Sequence, residues 1–354
     1  MRAASLYQGK IQVRTLADPT PGPGQILVRS RACGICASDI HFMDHPEGDA
    51  DDDSGLSCYD AEHDVVMGHE FCAEVVDYGP QTQRKWAKGT RVSSIPLLVG
   101  PTGRRIIGYS PDAPGAFGEF FLITEALAQE IHGDLPDELV ALSDAMAVGW
   151  SYVRRANVQP REIPLIIGCG AIGLSAIAAL RYRGIGPILA ADFVKSRRDT
   201  ALTMGADIVI DPAELAPFKA WTDVAKASVE EARGMVGQIA PGRGCVVFEC
   251  VGVPGVLNNI VRSCPRDTRI FSAGGPPEGE HLHTMTAKRK GLNMQFGGGP
   301  SLDDWNTALD EVSSGRLDVT PMTGRIVGLE DMPLAINDAR DATGPARIVL
   351  RPFD

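Results

Sequence analysis

The sequence predicts an α/β protein that combines a doubly wound parallel sheet with a second, mainly β domain. From about residue 147 onward, short apolar runs alternate with helical segments, which is typical of a parallel sheet with helices on both faces. One of these runs leads into the glycine-rich segment 168–173. The earlier part of the chain instead holds short strand-like runs separated by turns such as the Pro/Gly-rich segment 19–24.

The length of 354 residues is sufficient for two domains of about 100–200 residues each. We expect the mainly β domain to comprise residues 1–147 and 297–354, and the doubly wound domain residues 148–296. Apolar runs that predict strands of the doubly wound domain lie at 164–167, 187–191, 206–210, 245–249 and 269–272. In the mainly β domain they lie at 26–28, 65–67, 73–76 and 348–350, and an amphipathic helix is expected at 305–314.

Composition and charge exclude several classes of protein. With 44% hydrophobic and 22% charged residues, the chain has the composition of a soluble globular protein. A formal net charge of −11 argues against a nucleic-acid partner or an anionic membrane, which need clustered Lys and Arg. No apolar run of about 20 residues predicts a membrane span, and the first residues lack the apolar run of a signal peptide.

The eight cysteines are spread along a chain that is long enough to form its own core. A disulfide framework is therefore not expected, and a reducing cytoplasm is the predicted location. Residues 44–64 form a different kind of segment, with many acidic residues and no Lys or Arg. We predict a solvated surface loop there, with a lid or a partner surface as the alternative.

The segment 168–173 has the context of a dinucleotide-binding turn, because it follows a predicted strand and precedes a predicted helix. Gly168 would permit the tight turn, Gly170 the approach of a pyrophosphate, and Gly173 the close packing of helix on strand. The helix that begins near Ala171 and Ile172 would present free N–H groups to the anion. The alternative is a structural turn that binds no nucleotide.

Asp192 lies 19 residues after Gly173, at the end of the second predicted strand. A carboxylate there can accept hydrogen bonds from ribose hydroxyls and would repel a 2′-phosphate, so NAD is favoured over NADP. Arg197, a further candidate cofactor residue, and Arg198 follow closely and weaken that preference. The alternative role for Asp192 is a helix N-cap.

Two short segments, 36–41 and 68–70, carry the residues of a candidate metal site. Cys36 and His69 are suitable zinc ligands, and a catalytic zinc needs three protein ligands and one open position. Glu70 could approach the same metal, and Asp39 could orient a ligating imidazole. Buried structural roles for the cysteine and histidine are the alternative, as is a redox dithiol formed by Cys33 and Cys36.

Ser38 and His41 lie in the first of these segments and could pass a proton from a bound alcohol to solvent. The two segments, the glycine-rich turn and the tail 346–350 together make the chain resemble the zinc-dependent medium-chain dehydrogenases/reductases of the alcohol, sorbitol and threonine dehydrogenase type. The resemblance covers essentially the whole chain. It implies a GroES-like catalytic domain, a Rossmann domain, and a homo-oligomer, either dimer or tetramer.

By this resemblance, Cys36 and His69 would be ligands of one catalytic zinc and Ser38 would contact the substrate oxygen, with His41 ending the proton relay. The third ligand of relatives, a Cys or Glu at the start of a helix, corresponds to Asp144. Its carboxylate is one methylene shorter than that of Glu, so ligation could shift toward Glu70. Many relatives also hold a structural zinc on cysteines, but residues 73–168 contain none, so that zinc is expected to be absent.

The resemblance also implies the remaining site residues. The substrate pocket would include Leu98, Phe121 and Trp150. Arg347 would contact the pyrophosphate, and the nicotinamide pocket would be lined by Val251, Val253 and Gly275. The predicted function is hydride transfer between an alcohol, preferably a secondary alcohol or polyol, and NAD. The alternatives are a zinc-free NAD(P)H reductase of the quinone or enoyl type and a non-catalytic nucleotide-binding protein.

Overall fold

The structure is a computed structural model that describes residues 1–45, 54–101, 103–226, 244–276, 279–341 and 347–353. The chain forms two compact units. The first unit comprises Met1–Ala145 and Leu302–Asp354, and the second comprises Met146–Ser301. Residues 46–53 of the acidic segment and Ala346 of the tail lie outside the described residues.

The elements before residue 160 are mostly strands. The strands are Arg2–Tyr7 (β1), Lys10–Thr15 (β2), Gln25–Gly34 (β3), Val65–Val66 (β4), Glu70–Tyr78 (β5), Arg91–Ser94 (β6), Leu97–Gly100 (β7), Gly103–Ile106 (β8), Phe120–Thr124 (β9) and Ala128–Glu130 (β10). The helices are Ala37–Asp44 (α1), Asp137–Val140 (α2) and Ser143–Ala156 (α3).

Strands and helices then alternate. They are Glu162–Ile167 (β11), Ala171–Tyr182 (α4), Leu189–Ala191 (β12), Lys195–Thr203 (α5), Ile208–Ile210 (β13), Pro217–Lys226 (α6), Gly244–Glu249 (β14), Val256–Ser263 (α7), Arg269–Ser272 (β15), Thr284–Lys290 (α8) and Asn293–Phe296 (β16). The chain then returns to the first unit through Leu302–Ser313 (α9), Thr323–Val327 (β17), Met332–Ala339 (α10) and Arg347–Leu350 (β18).

The first unit is built mainly of antiparallel sheets. Its largest sheet has the order β10-β6-β5-β3-β18-β17, with β9 also paired to β3. A smaller sheet has the order β2-β1-β4, and β7 pairs with β8 as a hairpin. The core is formed by apolar side chains such as Leu6, Ile26, Phe71 and Phe117, which are fully or almost fully buried. Cys33, near the end of β3, belongs to this core, and Glu70, the first residue of β5, is fully buried.

The second unit contains the predicted parallel sheet, in the order β13-β12-β11-β14-β15-β16. All its strand pairs are parallel. The strand order reverses between β11 and β14, which makes this the point where a doubly wound sheet binds ligands beyond the carboxyl ends of its strands. The predicted fold class, a doubly wound parallel sheet with a mainly β domain, is confirmed.

The described part of the acidic segment, residues 54–64, consists of turns and irregular structure. Asp60 and Glu62 are exposed there, as expected for a solvated loop. Asp64 differs, because it accepts a hydrogen bond of 2.6 Å from Ser5 Oγ and pairs with Arg14 at 3.3 Å. Among the described residues, the helices are too short or too polar to cross a lipid bilayer.

Candidate active site

Three paired strands of the first unit bring distant residues to one place. In the antiparallel pair of β3 and β5, Gly34 lies opposite Glu70. On the other side of β3, Val349 of β18 lies opposite Gly34, and Ile35 N donates to Ile348 O at 2.9 Å. This register places Cys36 just after β3, at the N-cap of α1, with Glu70 on one neighbouring strand and Arg347 on the other.

Two glycines make the room for this arrangement. Gly68 has φ +94°, and a Cβ atom on it would lie 2.4 Å from the Phe117 ring. A Cβ atom on Gly34 would lie 2.5 Å from Glu70 Oε2. A larger residue at either position would therefore displace the segment that carries His69 and Glu70.

Cys36, His69 and Glu70 form a donor set whose ligand atoms all lie within 4.8 Å of one another. His69 is 7% exposed and Glu70 is fully buried. Glu70 Oε2 has no hydrogen-bond partner among the described residues, although an unpaired buried carboxylate oxygen is costly. Sulfur, imidazole nitrogen and carboxylate oxygen are the donors that zinc prefers, so the residues present fit a catalytic zinc.

Asp39 and Ser38 lie in the first turn of α1 and contact His69 directly. Asp39 Oδ1 lies 3.2 Å from His69 Nδ1, while Asp39 Oδ2 accepts a hydrogen bond of 2.9 Å from Cys36 N. Asp39 thus joins the two segments and can fix the imidazole so that its other nitrogen faces the donor set. Ser38 Oγ lies 3.3 Å from that nitrogen, Nε2. His41 is exposed one turn later on the helix.

Arg347 lies in this site and not only near it. Its Nη2 lies 2.7 Å from Glu70 Oε1 and 3.6 Å from Cys36 Sγ, and the side chain is 6% exposed. The guanidinium therefore compensates the charge of a buried carboxylate. The family resemblance implies a different partner for Arg347, the pyrophosphate of a dinucleotide, and that contact stays a prediction.

Asp144 is partly buried in the first turn of α3 and is not one of the three clustered donors. Burial raises the pKa of its carboxyl to about 7; the charges of His69 and Arg347 oppose the rise, and those of Glu70 and Asp39 add to it. A carboxyl with this pKa responds to whatever charge occupies the site. Its role as a zinc ligand stays a prediction.

Tyr109 is a site residue that sequence reasoning missed. Its ring lies edge-on to the His69 ring, with centroids 5.3 Å apart, and stacks on Phe42 at 4.7 Å. Burial would lower the pKa of His69, but Tyr109 and Asp39 beside it raise this pKa well above its ordinary value. Tyr109 belongs to no sequence motif, so its position beside His69 is found only from the structure.

The three predicted substrate-pocket residues are buried apolar side chains. Leu98 and Phe121 belong to the core of the first unit, and Phe121 packs on Phe71 with ring centroids 4.7 Å apart. Trp150 is 6% exposed in the second unit, where its ring lies 5.3 Å from that of Tyr182. These contacts are those of core residues, so the assignment to a substrate pocket stays a prediction.

In the second unit, the glycine-rich turn has the geometry of a phosphate-binding turn. Gly168 has φ +94°, and a Cβ atom on Gly173 would lie 1.9 Å from Gly168 O, so strand and helix meet closely. A Cβ atom on Gly170 would meet no atom of the described residues within 4 Å, which leaves open space among them before the first turn of α4. The N–H groups from Ala171 and Ile172 onward begin this helix, so the turn fits a pyrophosphate.

Asp192 follows β12 and is 9% exposed. Its carboxylate accepts hydrogen bonds of 2.8 Å from Cys169 N and from Val194 N. It therefore ties the glycine-rich turn to the next loop while keeping lone pairs for a ligand. Arg198 pairs with Asp211 at 2.8 Å, whereas Arg197 is partly buried on the first turn of α5. The cofactor roles of Asp192 and Arg197 stay predictions.

The predicted nicotinamide residues lie on the loops that follow β14 and β15. Val251 and Val253 are 40% and 48% exposed, which is unusual for valine. A Cβ atom on Gly275 would lie more than 4 Å from the atoms of the described part of the chain. Apolar side chains and open backbone thus face solvent at the carboxyl end of the parallel sheet.

Known families and proteins match both units. The family Alcohol dehydrogenase GroES-like domain matches residues 22–133, and the family Zinc-binding dehydrogenase matches residues 171–314. (R,R)-butanediol dehydrogenase of Bacillus subtilis (strain 168) is 30% identical, over 74% of this chain and 74% of that protein. Sorbitol dehydrogenase of the same organism is 26% identical, over 79% and 76%.

A solved structure adds to these relatives. It is that of a provisionally assigned zinc-binding dehydrogenase from Sinorhizobium meliloti 1021 bound to NADP. It is 25% identical and has a TM-score of 0.78, with 99% of each chain covered. The family expected from the motifs is thereby confirmed. The chain belongs to the zinc-dependent medium-chain dehydrogenases/reductases, and it is an oxidoreductase of the alcohol and polyol dehydrogenase type.

Proposed function

We propose that the protein interconverts a secondary alcohol or polyol and its carbonyl compound with NAD as the cofactor. The observation that supports this most is the donor set of Cys36, His69 and Glu70, in which the buried Glu70 Oε2 has no hydrogen-bond partner among the described residues. A bound zinc ion supplies the Lewis acidity that lowers the pKa of a substrate hydroxyl, and NAD supplies the hydride acceptor.

Each residue of the first unit has a separate task in this proposal. Cys36, His69 and Glu70 hold a single zinc, and Asp39 keeps His69 oriented toward it. Ser38 contacts the substrate hydroxyl and passes its proton toward His41, whose exposed ring releases it to solvent. No structural zinc is proposed, because residues 73–168 contain no cysteine to hold one.

The second unit binds NAD in this proposal. The pyrophosphate lies on the turn at Gly170 and the first turn of α4, and Asp192 accepts hydrogen bonds from the adenosine ribose. The proposed domain borders are those predicted from the sequence, 147/148 and 296/297, whereas the two compact units meet at 145/146 and 301/302. A homo-oligomer is also proposed; its support is the outer strand β16, where Phe296 is 61% exposed.

A substrate panel with NAD and NADP tests the proposal directly, if it is run on protein whose zinc content has been measured. We expect turnover of secondary alcohols or polyols that rises with zinc content and is faster with NAD. Activity that does not depend on zinc would favour a reductase of the quinone or enoyl type instead. NAD binding without turnover of any alcohol would favour a non-catalytic protein.

Replacing Asp192 with alanine is expected to reduce the preference for NAD. The change removes the acceptor for the ribose hydroxyls and the charge that repels a 2′-phosphate. The ratio of kcat/KM for NAD to that for NADP should fall at least about tenfold, or about 1.4 kcal/mol. Asp199→Ala, which removes an exposed carboxylate on α5, is the matched control and should leave the ratio unchanged. An unchanged ratio in the Asp192 variant would contradict the assignment.

Asp144→Asn should change how the stability of the metal-free protein depends on pH. The carboxyl of the unfolded chain titrates near its ordinary pKa of 3.8, whereas the folded pKa is about 7. Between these values the folded chain binds more protons, so the stability contributed by this group is complete below pH 3.8 and is lost as pH rises through about 7. Asparagine cannot ionise. The free energy of unfolding of Asp144→Asn, minus that of the wild type, should therefore increase by about 2 kcal/mol between pH 5 and pH 8.

Urea denaturation of both proteins after zinc removal measures this difference at the two pH values. Asp134→Asn, which changes an exposed carboxylate of the same unit, is the control. Its free energy of unfolding should differ from that of the wild type by the same amount at both pH values. If the difference in free energy of unfolding between wild type and Asp144→Asn does not change with pH, Asp144 is ionised in the folded chain over the whole range from pH 5 to pH 8.

A further inference from the structure

A buried carboxylate that the proposed function does not use lies at the end of β14. Glu249 is 2% exposed. Its Oε1 accepts hydrogen bonds from Val251 N at 2.7 Å and Gly252 N at 3.0 Å, and its Oε2 accepts one from Ser272 Oγ at 2.7 Å. One side chain thus holds the loop after β14 and the last residue of β15.

These two loops also touch through their backbones. A Cβ atom on Gly274 would lie 2.3 Å from Gly252 N and 2.9 Å from Glu249 Oε1. The loop after β14 packs in turn on the glycine-rich turn, since a Cβ atom on Gly168 would lie 2.7 Å from the Val251 side chain. Glu249 therefore lies where three loops meet at the carboxyl end of the sheet, namely the glycine-rich turn and the loops after β14 and β15.

The strand order indicates which half of a dinucleotide meets this junction. The pyrophosphate turn follows β11, and Asp192, the proposed ribose acceptor, follows β12 on one side of it. A dinucleotide continues to the other side of the pyrophosphate, and there the next strands are β14 and then β15. The nicotinamide half would therefore lie over the two loops that Glu249 joins.

We propose that Glu249 is a positioning residue for the nicotinamide half of the cofactor. It contacts neither substrate nor cofactor, but it fixes the N–H groups and the side chain of the loop that carries Val251 against the loop that carries Gly275. This inference rests on the proposed function. Loss of the carboxylate would free the loops to separate, while the pyrophosphate and adenosine sites would remain as they are.

Calorimetric titration with NAD and with ADP-ribose, which lacks only the nicotinamide ring, tests this inference. In Glu249→Ala we expect the Kd for NAD to rise about tenfold, or about 1.4 kcal/mol, and the Kd for ADP-ribose to change less than about twofold. Glu249→Gln keeps an oxygen for the two backbone N–H groups, so it should restore most of the affinity for NAD. Ser272→Ala removes the hydroxyl that links Glu249 Oε2 to β15 and that also lies 3.0 Å from Gly274 O. It should weaken NAD binding about threefold.

Glu162→Ala is the matched control. Glu162 pairs with Arg269 at the opposite, amino-terminal end of the same sheet, so its loss should lower the melting temperature without changing the ratio of the two Kd values. Equal effects on NAD and ADP-ribose, or none, in Glu249→Ala would overturn the inference. If that variant does not unfold cooperatively, the same comparison in Ser272→Ala decides.

The wild type separates a failure of this inference from a failure of the proposed function. A wild type that binds neither NAD nor NADP overturns the proposed function, and the inference falls with it. A wild type that binds NAD, together with variants whose ratio of Kd values is unchanged, overturns the inference about Glu249 alone.

Discussion

Replacing Cys36 with serine is expected to remove bound zinc and activity together. A serine hydroxyl stays protonated near neutral pH and is a weak zinc ligand, so the clustered donors fall from Cys36, His69 and Glu70 to two. We expect zinc content close to zero and a fall in kcat/KM of at least about 10³-fold, or about 4 kcal/mol. Elemental analysis of the purified protein and turnover of the best alcohol in the panel measure both quantities.

Binding of NAD to the Cys36 variant should be nearly unchanged, because the glycine-rich turn belongs to the other unit. Cys58→Ser provides the control, since Cys58 is an exposed cysteine of the same unit, and it should keep both zinc and activity. Wild-type turnover in Cys36→Ser would show that catalysis does not use this metal site.

Replacing Arg347 with methionine should destabilise the metal-free protein strongly. Glu70 is fully buried, and its Oε1 would lose the guanidinium that lies 2.7 Å away. Removal of one partner of a buried ion pair costs about 3–5 kcal/mol, because the remaining charge is left uncompensated. Urea denaturation should show a loss of this size, and adding Glu70→Gln to the same chain should recover most of it.

Zinc should also recover part of this loss, because a cation bound to Glu70 would replace the missing charge. Arg351→Met is the control: Arg351 pairs with Glu138 at 2.6 Å but is itself 36% exposed, so its loss should cost less than about 1 kcal/mol. Similar losses in the two arginine variants would show that Arg347 does not stabilise the buried Glu70 more than an exposed ion pair would.

Much of the second unit could be predicted because its signals are local. The apolar runs at 164–167 and 245–249 became β11 and β14, since buried parallel strands are apolar on both faces. Strand β16 was not predicted, because it lacks such an apolar run. Its sequence Asn-Met-Gln-Phe at 293–296 is mostly exposed at the sheet edge and carries no such signal.

The candidate metal site could be predicted only in part. Cys36, His69 and Asp39 lie in two short motifs, and the sequence was enough to propose that they act together. The partner of Cys36 and Glu70 could not be found in this way, because Arg347 is 311 residues from Cys36 and reaches it through the pairing of β18 with β3. Tyr109 and Glu249 have roles that depend on packing, and no motif identifies either residue.

The pairing of β18 with β3 also sets an order of events during synthesis. Cys36, His69 and Glu70 leave the ribosome long before Arg347, so the three donors exist in a nascent chain that still lacks their arginine. In that interval Glu70 lacks the guanidinium that later lies 2.7 Å from it, so a divalent cation would bind this carboxylate without competition from Arg347. Metal binding can therefore precede the pairing of β18 with β3, and Arg347 would then reach a site that already holds the ion.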